Sequence, residues 1–219
     1  MPIAATRRTQ AERSATTRAK LLDAALECLV ERGYADTTTT LVADRAGVSR
    51  GAQLHHFPTR AALVAAAVEH LYARLRADYQ AGFAALAPRA DRLGAAIDLL
   101  WSMFTVHHFP AVLELYTAAR TDAELRARLE PIAVRHQADV TRLAHAYFPE
   151  AARRPARFEA ALTLILDAME GMASTRAIRR GQASERVRLA TLRAIAAAAL
   201  SEINIAAAPP TARRRRTRG

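Results

Sequence analysis

Residues 37–57 read TTTTLVADRAGVSRGAQLHHF, and this stretch decides the fold. Two short helical patterns meet in it at Gly47. Thr38 can cap the first helix, because its hydroxyl accepts a hydrogen bond from an early backbone N–H. Gly47 suits the end of that helix, since glycine adopts the left-handed conformation at least cost, and Ser49 can cap the second helix. Two helices joined by a turn of about four residues form a helix-turn-helix, whose second helix enters the DNA major groove.

The same stretch and its flanks also carry a family resemblance. The residues involved are Gly33 and Tyr34, Thr38 and Thr39, the segment ADRAGVSRG at 43–51 and the segment HHFPTRAAL at 55–63. Together they resemble the N-terminal DNA-binding domain of TetR-type repressors over residues 17–63. The resemblance implies a three-helix DNA-binding domain, followed by a larger helical domain that binds a ligand and forms a dimer.

The resemblance assigns roles to individual residues. It implies that Arg50, Gly51 and Ala52 face the bases. Bidentate contact from Arg50 to guanine O6 and N7 would give ~1–3 kcal/mol of discrimination. The resemblance also implies phosphate contacts from Thr38, His56 and Arg60, and Thr39 suits a phosphate oxygen through its place at a helix N-terminus. The full set of predicted DNA-binding residues is Thr38, Thr39, Ser49, Arg50, Gly51, Ala52, Gln53, His55, His56 and Arg60.

One pair of residues departs from the family pattern. Where the family has an aliphatic residue followed by tyrosine, this chain has Gln53 and Leu54. At about 100° per residue, either side chain can lie beside Phe57, the expected core residue of this helix. If Leu54 is buried, Gln53 is free to bind adenine N6 and N7. If Gln53 is buried, its amide needs an internal partner; we favour the first arrangement.

The charge is unevenly distributed along the 219 residues. The formal net charge is +11, and 51% of the residues are hydrophobic with only eight glycines. Such a basic chain favours a polyanionic partner, nucleic acid before membrane. Residues 205–219 hold five arginines and no acid, so we predict a disordered polybasic tail there.

Breaks in the helical pattern divide the rest of the chain. Residues 1–13 are polar and basic and are predicted to be a flexible arm, with the first helix starting near Ser14. The DNA-binding domain is assigned to residues 14–60, and a helical domain for ligand binding and dimerisation to residues 61–204. Since no stretch shows strand-like alternation, the sequence predicts an all-α fold of about nine helices.

The helical domain offers candidates for two further surfaces. Apolar walls with a few polar groups suit a small-molecule pocket, and the candidates are Trp101, Phe104, His107, His108, Tyr116, His136 and Met169. The last two helices are expected to pair across a two-fold axis. Their candidate interface residues are Phe158, Leu162, Ile165, Met169, Leu192, Ile195 and Ala199. The same apolar stripes are also compatible with packing inside one chain.

The sequence lacks the motifs that are typical of several other classes of protein. We find no glycine-rich phosphate loop, nucleophile elbow or paired metal-ligand motif, and therefore predict no enzyme, no metal and no cofactor. Cys28 is the single cysteine and cannot form an internal disulfide. No apolar run reaches the roughly 20 residues that span a bilayer, so we predict a cytoplasmic protein with no membrane partner.

These observations lead to one functional hypothesis and two alternatives. We expect a homodimeric transcriptional regulator that binds a double-stranded DNA operator and is released by an unknown small-molecule effector. The resemblance implies that it is a repressor. The alternatives are a nucleic-acid-binding protein that uses its basic tail without sequence preference, and a helical enzyme.

Overall fold

The computed structural model describes residues 9–87, 91–176, 178 and 182–205. Within these residues the chain forms nine α-helices, a short 3-10 helix at Ala151–Arg153 and no strand. The helices are α1 (Gln10–Asp36), α2 (Thr39–Ala46), α3 (Arg50–His56), α4 (Arg60–Ala84), α5 (Arg92–Phe104), α6 (Phe109–Ala118), α7 (Ala123–Tyr147), α8 (Pro155–Ser174) and α9 (Gln182–Ile205). The predicted all-α fold of about nine helices is confirmed. Residues 1–8 of the predicted arm and 206–219 of the predicted tail lie outside the described residues.

The chain divides into two compact units. The first consists of Met1–Pro88 and Asp98–Ala138, and the second of Arg89–Ile97 and Asp139–Gly219. The first unit therefore contains the helix-turn-helix together with α4, α6 and most of α5 and α7. The functional division after residue 60 stays a prediction. None of the described helices is both long and apolar enough to cross a lipid bilayer.

α1 begins earlier than its apolar pattern predicts. The Thr9 side chain accepts a hydrogen bond from the Glu12 backbone N–H at 3.2 Å, and Glu12 Oε2 accepts one from the Thr9 N–H at 2.7 Å. This reciprocal capping box satisfies two backbone donors that have no partner inside the helix. Residues 10–13 are helical, so the prediction of a flexible arm over residues 1–13 is wrong for this part.

Gly33 interrupts α1 near its end, where the sequence predicts a helix stop. Its φ of 74° lies in the left-handed region, and the Thr37 hydroxyl donates to the Gly33 carbonyl at 2.7 Å. A Cβ atom at this position would lie 2.7 Å from Glu114 Oε1 on α6. Backbone conformation and limited space therefore both favour glycine here.

The core of the first unit lies between α1, α2, α4 and α6. Its largest fully buried aliphatic residues include Leu21, Leu22, Leu26, Leu29, Val42, Leu63, Val64 and Leu115. Cys28 is part of this core, and burial raises the pKa of its thiol. A thiol in this environment packs as a small apolar side chain, which agrees with the sequence. The core holds the helix-turn-helix against the long helices α1 and α4.

Substitution of Gly33 by alanine is expected to destabilise the first unit more than the same change at Gly47. Gly47 also has a left-handed backbone (φ 63°), but a Cβ there would meet nothing within 4 Å. We expect a loss of about 1–2 kcal/mol for Gly47→Ala from its left-handed helical backbone, and about 2–3 kcal/mol for Gly33→Ala, because its ψ of 176° gives a conformation almost restricted to glycine and the contact with Glu114 adds crowding. Denaturant titrations followed by fluorescence of Trp101, the single tryptophan, measure both. Equal losses would contradict the close contact with Glu114.

Candidate nucleic-acid interface

The turn between α2 and α3 is built by the residues that the sequence singles out. Thr38 Oγ1 accepts a hydrogen bond from the Leu41 N–H at 3.1 Å, and Ser49 Oγ accepts one from the Ala52 N–H at 3.3 Å. Gly47 ends α2 in the left-handed conformation. The predicted helix-turn-helix with these two caps is confirmed.

The inner face of α3 is fixed by Gln53 and Phe57. Gln53 is 0% exposed, and its Nε2 donates to the Phe57 carbonyl at 2.7 Å. Its Oε1 has no hydrogen-bond partner among the described residues. The Phe57 ring is buried, and the Arg18 guanidinium lies 5.5 Å from the ring centroid. These contacts set the rotation of α3 about its own axis.

The favoured arrangement of Gln53 and Leu54 is wrong. Leu54 is 45% exposed, whereas Gln53 takes the core position, so Gln53 cannot bind a base. Helical spacing allows either side chain beside Phe57, and the contact that selects Gln53 is the one from its amide to the Phe57 carbonyl. The hydrogen bond from the amide to the Phe57 carbonyl satisfies the donor side of the buried amide, which lowers the cost of burying it.

The outer face of α3 carries the remaining predicted base-facing residues. Arg50, Gly51 and His55 are exposed, and Ala52 and His56 are half-buried. A Cβ added at Gly51 would meet nothing within 4 Å. The rings of His55 and His56 lie 5.5 Å apart, edge to face. This face is therefore largely exposed to solvent, with Arg50 at its start and open space at Gly51 beside it.

Arg60 already has partners inside the protein. Its guanidinium lies 4.1 Å from the centroid of the Tyr34 ring and donates to the carbonyls of Tyr34 and Ala35, each at 3.1 Å. These contacts join the start of α4 to the end of α1. The phosphate contact implied for Arg60 stays a prediction and would have to form alongside them. Thr38 is exposed and Thr39 half-buried at the start of α2, where phosphate contacts remain a prediction.

Three acidic residues of the α6–α7 region contact the two flanks of the helix-turn-helix. Glu114 Oε1 accepts a hydrogen bond from the Tyr34 backbone N–H, and Asp122 Oδ2 accepts one from the Tyr34 hydroxyl at 2.7 Å. On the other flank, Glu124 accepts from the Thr59 hydroxyl at 2.8 Å. The sequence analysis missed these contacts, because residues 65 to 88 positions apart leave no local pattern. Together, these three contacts form a link between the α6–α7 region and the residues that come directly before and after the helix-turn-helix.

Titration of Asp122 makes this link dependent on pH. Hydrogen bonds from the Leu125 N–H and the Tyr34 hydroxyl lower the pKa of Asp122 below its usual 3.8. Burial, and then the hydrogen bond to Asp122, raise the pKa of the Tyr34 hydroxyl, which is therefore the donor at neutral pH.

The Asp122→Asn variant should be less stable than the wild type at pH 6 and nearly equal to it at low pH. A carboxylate whose pKa is lowered by folding stabilises the protein above its unfolded pKa, and this contribution is lost as the pH falls through the folded pKa. The difference should therefore shrink below pH ~4. Urea titrations of both proteins at several pH values measure it. A difference that is the same at pH 6 and pH 3 would contradict a role for the charge.

Six of the seven predicted effector-pocket residues lie in the first unit. Tyr116 and His136 both contact Tyr72 of α4: the Tyr72 and Tyr116 hydroxyls form a hydrogen bond, and the His136 ring stacks on the Tyr72 ring at 3.7 Å. Trp101 is buried, and the Phe104 ring packs edge to face on the Phe109 ring at 4.8 Å. Met169 is buried in the second unit. Their role in effector binding stays a prediction.

His107 and His108 lie beside α1 rather than beside Tyr72. His108 Nε2 is 2.8 Å and His107 Nε2 is 3.9 Å from the Glu27 carboxylate. A groove of about 460 Å³ opens here, lined by Asp23, Glu27, His70, Arg74 and His108. Its polar groups bind one another, since His70 and Arg74 both contact Asp23, at 3.1 and 3.3 Å. In the described parts of the chain, no three His, Cys, Asp or Glu side chains are arranged to hold a metal ion.

The structure divides the predicted dimer residues of the second unit into two groups. Phe158, Met169 and Leu192 are buried within the chain without a partner, and their assignment to an interface stays a prediction. They face the inside of the unit because α8 and α9 pack on each other. Ile195 is exposed, and Leu162, Ile165 and Ala199 are half-buried. The analysis of the sequence missed Leu164, which is also exposed.

A short helix packed by its inner face, capped by Ser49 and open on its outer face is typical of helix-turn-helix DNA-binding proteins. Comparison with protein families gives a match to Bacterial regulatory proteins, tetR family, over residues 21–67. In this segment the chain is therefore similar to TetR-family transcriptional regulators. The family resemblance predicted from the sequence is confirmed.

Individual relatives agree with this assignment. The chain is 42% identical over 124 residues to the HTH-type transcriptional regulator CymR of Pseudomonas putida, covering 57% of this chain and 61% of CymR. It is 29% identical to Mb2936c, an uncharacterized HTH-type transcriptional regulator of Mycobacterium bovis, over 88% of this chain and 99% of that protein. A transcriptional regulator from Pseudomonas aeruginosa PAO1 has the same fold, with a TM-score of 0.66, 17% identity and coverage of 92% and 95% of the two chains.

Proposed function

We propose that this protein binds a specific double-stranded DNA operator as a homodimer, represses transcription there and is released by a small-molecule effector. The observation that carries the proposal is the orientation of α3. Gln53 and Phe57 fix its inner face in the core, and Arg50 projects from its exposed outer face. An arginine on such a face can bind O6 and N7 of guanine in the major groove.

Exposed apolar residues of α8 and α9 support the homodimer. Leu164, Val187 and Ile195 are large apolar side chains that stay exposed in the single chain. In a two-fold dimer formed through α8 and α9, the partner would cover such side chains in both copies. Two symmetry-related recognition helices would then contact half-sites roughly 34–36 Å apart, or a multiple of that distance.

The contacts of the α6–α7 region support release by an effector. A ligand changes the affinity for DNA only if it prefers one arrangement of the protein over another. Glu114, Asp122 and Glu124 connect α6 and α7 to both flanks of the helix-turn-helix. A ligand that moves these helices would therefore change the position of α3. Such a regulator acts on operator DNA without catalysis, in the cytoplasm.

Selection from a random duplex library with the purified full-length protein tests the proposal. At ~0.15 M salt, a specific regulator keeps its complex in the presence of competitor DNA. We expect enrichment of one sequence with two-fold symmetry, and at least one compound of a metabolite panel that lowers the affinity for it. Equal recovery of all sequences would contradict sequence-specific binding.

The polybasic tail favours a second candidate, binding without sequence preference. Deletion of residues 209–219, which contain five arginines, separates the two candidates. If the tail adds only backbone contacts, its loss should weaken binding to every duplex alike and reduce the salt dependence of binding. Loss of affinity for the selected duplex alone would contradict this assignment of the tail.

A further inference from the structure

We propose that Leu54 determines specificity by contacting the 5-methyl group of a thymine in each half-site, next to the base bound by Arg50. The inference rests on the proposed function, since it concerns the same face of α3. It assigns the contact to a residue for which the sequence analysis favours a place in the core.

The rotation of α3 leaves Leu54 no place in the core. The neighbouring Gln53 is fully buried and donates to the Phe57 carbonyl, so α3 cannot turn Leu54 inward without exposing this pair. Leu54 lies one helical turn after Arg50, and residues four apart share one face of a helix. Both side chains are exposed. They therefore project next to each other from the outer face of the motif.

Leu54 is unusual for an exposed position. The described residues contain six large apolar side chains that stay exposed: Leu54, Val134, Leu164, Ile178, Val187 and Ile195. Leu54 is the one that lies within the helix-turn-helix. The residues nearest to it in the sequence on the outer face are small or polar, because Gly51 has no side chain and His55 is an imidazole. Leu54 is therefore an exposed apolar side chain among small and polar neighbours.

The chemistry of leucine selects the base feature that it can contact. Its side chain has no donor or acceptor, so it cannot bind phosphate oxygens or the polar edges of bases. In the major groove, thymine alone among the four bases presents a methyl group. Contact between the two buries apolar surface on both sides, which is favourable. Arg50 beside it binds guanine, so we expect a guanine and a thymine close together in each half-site.

Replacement of thymine by deoxyuridine in the selected duplex tests this contact directly. The exchange removes the 5-methyl group and leaves the base pair intact. For the wild type, we expect an affinity loss of about threefold to tenfold at one thymine of each half-site. This is the loss expected when the contact buries one methyl group fewer, or slightly more apolar surface than that. The Leu54→Ala variant should bind the unmodified duplex more weakly and should not distinguish thymine from deoxyuridine at that position. Fluorescence anisotropy titrations measure both.

A matched variant and a folding measurement serve as controls. Val134→Ala shortens an exposed apolar side chain on α7 and should keep the full preference for thymine. Leu54→Ala should unfold at the same denaturant concentration as the wild type, because the side chain is exposed.

Two results would overturn the inference while leaving the proposed function intact. In the first, the wild type selects a sequence but tolerates deoxyuridine at every thymine of the half-site, or the half-site has no thymine. In the second, Leu54→Ala keeps the preference for thymine, which would assign the methyl contact to another residue such as Ala52. If the wild type selects no sequence at all, the proposed function fails and the inference fails with it.

Discussion

The Arg50→Ala variant is expected to lose most of its preference for the selected operator while keeping its fold. Arg50 is the exposed guanidinium at the start of α3, and a bidentate contact to guanine contributes ~1–3 kcal/mol of discrimination in each half-site. This corresponds to roughly 5- to 150-fold in affinity per half-site. Titrations of the variant against the selected duplex and against duplexes with a changed guanine measure the loss.

Removal of a different arginine controls for the change in net charge. Arg142 lies on α7 with an exposed side chain, and it pairs with Asp139 at 2.7 Å. Arg142→Ala lowers the net charge as Arg50→Ala does, but it should leave the sequence preference unchanged. If Arg50→Ala instead weakens binding to all sequences equally, Arg50 contacts phosphate and the assignment to a base is wrong.

The Phe57→Ala variant is expected to have the largest effect on stability, a loss of about 3–5 kcal/mol in the free energy of unfolding. Phe57 is buried in the core of the first unit, and its backbone N–H and carbonyl both bind Gln53, at 2.8 and 2.7 Å. Truncation of the ring leaves a cavity beneath α3. The guanidinium of Arg18 also loses the aromatic face that it covers.

Leu54→Ala is a suitable control, because it shortens an exposed apolar side chain of the same seven-residue helix. Denaturant titrations of both variants, followed by Trp101 fluorescence, compare the buried position with the exposed one. We expect a large loss for Phe57→Ala and less than about 0.5 kcal/mol for Leu54→Ala. Similar losses would mean that α3 is not fixed through Phe57.

The parts of the fold that depend on local chemistry could be predicted from the sequence. Thr38, Gly47 and Ser49 act within three or four residues of their partners, and their caps form as expected. The position of Phe57 in the core follows from helical spacing. The family resemblance also depends on this contiguous stretch, which explains why it could be recognised without the rest of the chain.

The choice between Gln53 and Leu54 depends on tertiary packing. Helical rotation allows either side chain beside Phe57, and polarity favours leucine inside. What decides the question is the hydrogen bond from the Gln53 amide to the Phe57 carbonyl. A pattern of apolar residues carries no information on this bond. The result moves Gln53 from the DNA-binding surface to the core and Leu54 in the opposite direction.

Contacts between segments that are distant along the chain could also not be predicted from the sequence. The bond from Tyr34 to Asp122 joins residues 88 apart, and the charge on Arg60 gave no indication that it stacks on Tyr34. In the second unit, Phe158 and Ile195 both follow apolar stripes, yet one is buried and the other exposed. An apolar stripe marks a covered face, but it does not say whether the same chain or a partner covers it.

The most direct test of the central claim replaces single guanines of the selected half-site by 7-deazaguanine, which lacks the N7 acceptor in the major groove. If α3 presents Arg50 to base edges, the wild type should lose affinity at one guanine per half-site, by an amount within the ~1–3 kcal/mol of a bidentate contact. Arg50→Ala should be insensitive to the same exchange. A wild type that tolerates 7-deazaguanine at every position would contradict base recognition by the outer face of α3.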